Sequence, residues 1–345
     1  MFKYLYQASL VLSFISSRAR PCRAECLAFY LGYVPACIAG ILKVRRRYPN
    51  ARPDHTSPRT SPESASQNAM ATTSIQSILT KFKVNHLPHD RQSYIYLAVA
   101  AVGGINLLAY WISTYRGWRA LGRGGLPPNP LGWLAQACLR PGSRSDVRAP
   151  APWTLEQTEA SWGAVGRKSF FTNGKAPPPR AGARPEVPTY VAPQRQMTEQ
   201  SDPAMLERME SYLAALALRN PAMFQLKPSG LEGPFRNAVW LADHLDIPAY
   251  LKGTRGECIH PHDEGSTHLV LGLSDATRAI ELGWAERHKL SGAYSEVLPW
   301  GYVLIYAPRD GPEFEVWKQF VLAAARCNAE ATVNASGSDV VAPSA

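Results

Sequence analysis

Three histidines, His260, His262 and His268, fall within nine consecutive positions of the run ECIHPHDEGSTHLVL, followed after a further stretch by His288. In an extended segment alternate side chains share a face, so His260 and His262 point the same way, with Asp263 opening the turn that returns the chain to His268. Three imidazoles then converge. One reading is a metal site, with imidazole nitrogens joined by Asp263, Glu257 or Glu264 as a fourth ligand, a set suited to iron, zinc or copper. A second is acid/base work, because an imidazole titrating near neutrality can remove an enolic proton and leave an electron-rich anion able to react with dioxygen. Arg287, His288 and Arg309 are placed to hold such an anion. A third is purely structural, buried hydrogen bonding beside a turn, and three histidines so close together weaken it.

A flat ligand would need aromatic walls, for which Trp240, Trp284, Tyr294, Trp300 and Tyr302 are available. Trp300, beside Pro299 in a loop, is the better pocket residue, whereas Trp284 and Tyr302 have the pattern of core packing.

The elements that must position these groups begin at Ser201-Asp202-Pro203, a cap and early proline that open a helix to about Asn220 bearing Leu206, Met209, Leu213 and Leu216 on one face. Phe224 to Lys227 reads as a strand, Asn237 to His244 as a short helix, and Ala249 to Lys252 as a strand. Two more strands follow at 257–262 and 267–273. Ser274 or Asp275 caps the next helix and Gly283 ends it. Tyr302 to Ala307 is a buried strand, and a last helix carries Phe314, Trp317, Val321 and Ala324. Several strand pairs have loops too short for a crossover helix. The fold expected is α+β, a mainly antiparallel sheet with packed helices over 201–329.

Upstream, the stretch YIYLAVAAVGGINLLAYWI has no charge between Arg91 and Arg116 and carries aromatic residues at its ends. It predicts a single transmembrane helix at about 93–115 within an anchor region spanning 70–148. Arg116, Arg119 and Arg123, weighed against Lys81, Lys83 and Arg91, lean the orientation toward a cytosolic C-terminal domain, in the endoplasmic reticulum or another endomembrane. Residues 131–139 suit a short helix lying on the lipid surface or packed on the domain. The segment 149–200 is a Pro-rich basic arm expected to wrap the domain, residues 1–69 an N-terminal extension for which Met70 is an alternative start, and 330–345 a disordered tail.

The chain of 345 residues carries a formal charge of +10, concentrated outside 199–330. Basic linker beside an apolar run points to anionic lipid as partner. No nucleic-acid module is recognisable, so that class is excluded. The six cysteines show no zinc-type pairing, and Cys258 and Cys327 are expected reduced. Oligomeric state is not legible.

The histidine stretch also resembles the fungal luciferase family. The motifs that carry the resemblance are His260, His262 and Asp263; Thr267, His268 and Leu269; a helix ending Gly283-Trp284 with Arg287 and His288; Leu290 and Gly292; and the strand closing Tyr306-Ala307-Pro308-Arg309. A fainter echo occurs at Gly182-Ala-Arg-Pro185 and Arg195-Gln196. The resemblance implies a domain acting on 3-hydroxyhispidin-like pyrones with dioxygen, through an energetic peroxide that loses carbon dioxide, and implies neither flavin nor nicotinamide. Taken with the residue reading, His260, His262, Asp263 and His268 are the candidate catalytic residues and Arg287, His288, Trp300 and Arg309 the candidate substrate-binding ones. Two departures, a shorter His262–His268 loop lacking an additional histidine and a different 293–300 region, predict a ligand that is another aromatic or polyketide-like compound, without light emission. A membrane-tethered ligand-binding or interaction module without catalysis is the alternative.

Overall fold

The computed structural model describes residues 91–293, 297–332 and 340–343. The N-terminal extension, the alternative start at Met70, Tyr294 and most of the C-terminal tail lie outside these residues. The chain divides after Tyr110 into two units.

Helix α1 runs Arg91–Ala120 and is long and apolar enough to cross a membrane. Over its first two-thirds Ile95, Val99, Val102, Ile105 and Leu108 are exposed. In the second unit, Trp118 near its end is buried and donates its indole N–H to the Ala192 carbonyl at 2.8 Å. Helix α2, Pro130–Leu139, follows, capped by Asn129, whose side chain accepts from the Leu131 and Gly132 amides.

The segment that the composition marks as an arm has little regular structure beyond α3, Leu155–Trp162, which starts on a Thr154/Gln157 capping box. It nonetheless contributes Trp162, Phe170, Phe171 and Val191 to the hydrophobic core. Trp162 stacks on Tyr250 with ring centroids 4.0 Å apart.

Asp202 caps α4, Pro203–Arg219, accepting from the Met205 amide at 2.7 Å. Strands β1 (Phe224–Pro228), β2 (Asn237–Leu241), β3 (Glu257–Pro261) and β4 (Thr267–Val270) follow, then α5 (Leu273–Glu281), β5 (Ala285–Arg287), β6 (Tyr302–Ile305) and α6 (Gly311–Glu330). The six strands form one antiparallel sheet in the order β1-β2-β3-β4-β6-β5. Asp310 caps α6 through the Glu313 amide, as its position suggests.

Three local expectations change. Asn237 to His244 is not helical: Ala238-Val239-Trp240-Leu241 is a strand buried between β1 and β3, where ladder pairing decides the conformation of a short apolar run. Ala249–Leu251 is a single 3-10 turn rather than a strand. Asp275 does not cap α5; its buried carboxylate accepts from the Phe170 amide at 2.8 Å and pins the arm instead. Gly283, with φ +84°, ends α5 in a Schellman arrangement in which the Gly283 and Trp284 amides return to Ile280 and Ala279. The chain then turns directly into β5, so Arg287 and His288 stand on and beside a strand rather than at a helix end.

Register sorts the sheet into two faces. Ile259, Thr267, Leu269, Val303, Ile305 and Ala285 lie on one, against the helices, and the Trp317 indole of α6 donates to Thr267 Oγ1 at 2.9 Å. His260, His268, Leu304 and Glu286 lie on the other, in cross-strand register. Cys258 and Cys327 are buried free thiols, and burial pushes both up.

Candidate functional site

The β3–β4 hairpin builds the centre of the site. His262 and Ser266 face each other across a three-residue loop, Asp263-Glu264-Gly265, closed by the bonds His262 N–H to Ser266 O at 2.8 Å and Gly265 N–H to His262 O at 3.1 Å. Gly265 has φ +95°, the conformation this loop demands at its last position and one that side chains disfavour. The loop holds His262 level with the strand pair, where His260 stands opposite His268.

Four imidazoles meet there. Ring centroids of His260 and His262 are 5.3 Å apart, of His262 and His268 4.8 Å, and of His268 and His288 5.3 Å. Tyr302 on β6 stacks on His268 at 4.6 Å. All five side chains are buried. Desolvation disfavours the imidazolium, reinforced by Arg195 at His262 and by neighbouring imidazoles at His268, so both titrate well below the usual histidine range. For the same reason His288 is pushed down to about 3. Burial, with the Glu257 charge, also raises the Tyr302 phenol, keeping it protonated.

Hydrogen bonding sets the tautomers. His260 Nδ1 donates to Glu257 at 2.7 Å. The Ser266 hydroxyl gives its hydrogen to Glu264, so its oxygen accepts from His262 Nδ1 at 2.8 Å. His268 Nδ1 donates to the Val303 carbonyl at 3.3 Å. In the neutral His262 and His268 rings Nε2 is then a lone pair. His288 is the reverse, since its Nδ1 accepts from the Leu290 amide at 3.0 Å and Nε2 carries the proton. Acceptors on His262 and His268 and a donor on His288 thus share the cluster. His262 Nε2 is completely buried and, among the described residues, has no hydrogen-bond partner, which makes it the orphan of the site.

A ring of charge surrounds the imidazoles. Glu257 accepts from Ser229, Gly230 and Leu231 as well as His260. Burial drives its carboxyl up, but the His260 and Ser229 hydrogen bonds outweigh this and hold it below the ordinary value. The same 229–232 loop brings Glu232 beside the histidines, where it pairs with the buried Arg195 guanidinium. Burial raises Glu264, which lies 3.6 Å from Arg195 Nε.

The predicted residues therefore separate. His260, His262, His268 and His288 come together. Asp263, in the hairpin loop, is exposed and pairs with Arg236. Arg287 precedes His288 by one position and so points to the opposite side of the strand, where it lies 4.4 Å over Trp153 and donates to the Ala149 and Pro150 carbonyls. Trp300 belongs with it, covered by Arg144 at 4.4 Å. Arg309 pairs with Glu313 and reaches the Ala181 carbonyl at 2.9 Å. These three anchor the arm. So do the upstream echo residues: Arg184 donates to the Ala285 carbonyl at 2.6 Å, and Gln196 accepts from the Ala307 amide at 2.8 Å. Glu232, Ser266 and the closeness of Arg195 to the cluster had no local signature.

Fold and site define an antiparallel α+β domain with a buried histidine cluster on one sheet face. Residues 255–324 match the Luciferase domain family model. Luciferases of Neonothopanus nambi and Armillaria gallica are 29% and 28% identical over 156 residues, covering 42% of this chain and 58% of each relative. The luciferase of Armillaria mellea is 28% identical over the same length. The chain thus spans little more than half the length of these curated relatives. No solved structure matches.

Proposed function

We propose that the protein is a membrane-anchored, luciferase-like domain that uses dioxygen to oxidise a flat, enolisable compound of the hydroxypyrone or aromatic polyketide-like class. The observation that carries this reading is the four-imidazole cluster lying inside the segment similar to luciferases. An Nε2 lone pair, that of His262 first, takes the enolic proton; the His288 Nε2–H donates to the oxyanion left behind. The carbanion form of the ring then bonds to dioxygen, the ring carbon being oxidised and the oxygen reduced to the peroxide level. Low basicity of the buried imidazoles keeps the lone pairs free at neutral pH.

Helix α1 supplies the anchor in this reading, and the arginines at its C-terminal end favour a cytosolic domain on an endomembrane. Carbonate-resistant membrane association that is lost on deleting 93–115 is the expected result.

The direct test is oxygen uptake by the detergent-solubilised chain on a panel of hydroxypyrones. Uptake lost in His262→Ala, with the circular dichroism of the parent, supports the reaction. Saturable quenching of tryptophan fluorescence by a pyrone without uptake replaces it with a tethered binding module.

A further inference from the structure

We infer that Glu232, His260 and His262 form a binding site for one divalent first-row transition ion of the iron or zinc class. One ligand atom from each of the three lies within 4.8 Å of the others, and all three residues are buried. Two imidazoles and one carboxylate are a donor set that such ions take in preference to calcium or magnesium, which favour oxygen alone.

Three further observations point to an ion rather than to packing. The first is the orphan: His262 is fully buried, and among the described residues its Nε2 has no partner. An unpaired polar atom inside a protein is destabilising, so its retention calls for something that uses the lone pair. The second is the outer ring of hydrogen bonds. Glu257 on His260 Nδ1 at 2.7 Å and Ser266 on His262 Nδ1 at 2.8 Å hold both rings through Nδ1 and leave Nε2 as the remaining ligand atom, the orientation that ligating histidines are given by their carboxylate or hydroxyl partners. The third is charge. Glu232, Glu257 and Glu264 gather around the cluster opposite a single buried guanidinium, Arg195. Arg195 pairs with Glu232, so the guanidinium holds that carboxylate in place beside the two imidazoles.

An ion here takes the His262 lone pair that the proposed reaction gives to the enolic proton, so the two uses are alternatives at that atom, and binding of the ion does not require the reaction. The experiment is titration of the full detergent-solubilised chain, freed of metal by chelator and dialysis, with Co2+ followed by its visible absorption and with Zn2+ in competition. One ion per chain is expected, with affinity lowered a hundredfold or more in His262→Ala and in His260→Ala. Glu257→Gln, which changes only the partner of a ligand, should cost tenfold to a hundredfold. Glu232→Gln keeps the shape of the side chain and should cost at least tenfold, so the idea stays testable where a histidine variant fails to fold. Absent Co2+ binding, or binding that His262→Ala and Glu232→Gln leave unchanged, overturns the site. A bound ion without oxygen uptake on any pyrone keeps the site and removes the reaction; undiminished uptake by a chain that binds no ion does the opposite.

Discussion

The two faces of one sheet are built on opposite terms. Along β4, Thr267 and Leu269 turn to the helices and meet α6, whereas His268, between them, turns to the imidazole cluster and the Arg195 end of the arm. On the helix side the contacts are aromatic and aliphatic, with Trp317 and Phe320 wholly enclosed. On the arm side the same strands bury four imidazoles, three carboxylates and a guanidinium. Burying apolar surface stabilises by about 25 cal/mol per Å2, whereas burying polar groups is at best neutral when each is paired. Stability and chemistry have thus been assigned to opposite sides of a single strand, and the period of two lets adjacent residues serve them separately.

The largest effect should come from the helix face. Phe320→Ala removes a wholly buried ring that packs against Phe171 at 5.6 Å, and should cost about 3–5 kcal/mol, read as a fall in the urea midpoint. His262→Leu should do the reverse on the other face. It removes the unpartnered Nε2 and leaves the Ser266–Glu264 bond in place, so unfolding free energy should change by less than about 1.5 kcal/mol while oxygen uptake is lost. Equal destabilisation by both substitutions would erase the distinction between the faces.

Acid should act through the arm face. His288 titrates near 3 when folded, and an unfolded histidine titrates near 6.5. As pH falls below about 6.5 the unfolded chain takes up a proton that the folded chain refuses, so stability is full above that value and declines below it. This residue alone contributes a slope of about 1.4 kcal/mol per pH unit down to its folded pKa. Urea midpoints at several pH values should show the decline, and His288→Leu should make it shallower. A slope that the substitution leaves unchanged would mean that His288 is protonated within the fold.

Legibility in the sequence followed the range of the interactions. The spacing of His260 and His262 and the return to His268 are a hairpin two strands wide, so periodicity alone brings three imidazoles together. The antiparallel class was equally readable from loop lengths. Asn237–Leu241 was not, because a five-residue apolar run is compatible with either regular structure until its neighbours in the sheet are known. Glu232 was out of reach for a stronger reason: it arrives at the histidines only because β1, β2 and β3 pair and the Ser229–Glu232 turn folds onto Glu257. Arg287 misled by adjacency, since a neighbour of His288 in a strand faces away from it.

The smallest effect concerns Asp263, which the sequence places with the histidines and the structure places at the surface. Its side chain is 71% exposed and pairs with Arg236, itself shared with Glu210. Exposed pairs of this kind are worth up to about 1 kcal/mol, because water screens them and two long side chains must be ordered to make them. Asp263→Asn should therefore shift the urea midpoint by an amount equivalent to less than about 0.5 kcal/mol, given that Glu210 still holds Arg236. Oxygen uptake and Co2+ affinity should stay within twofold of the parent. The comparison with Glu232→Gln is the sharper one, since both substitutions neutralise one carboxylate near the same hairpin. A tenfold loss on Asp263→Asn would show that the loop folds inward when ligand binds, and the arm face would then extend past the buried cluster to the hairpin tip.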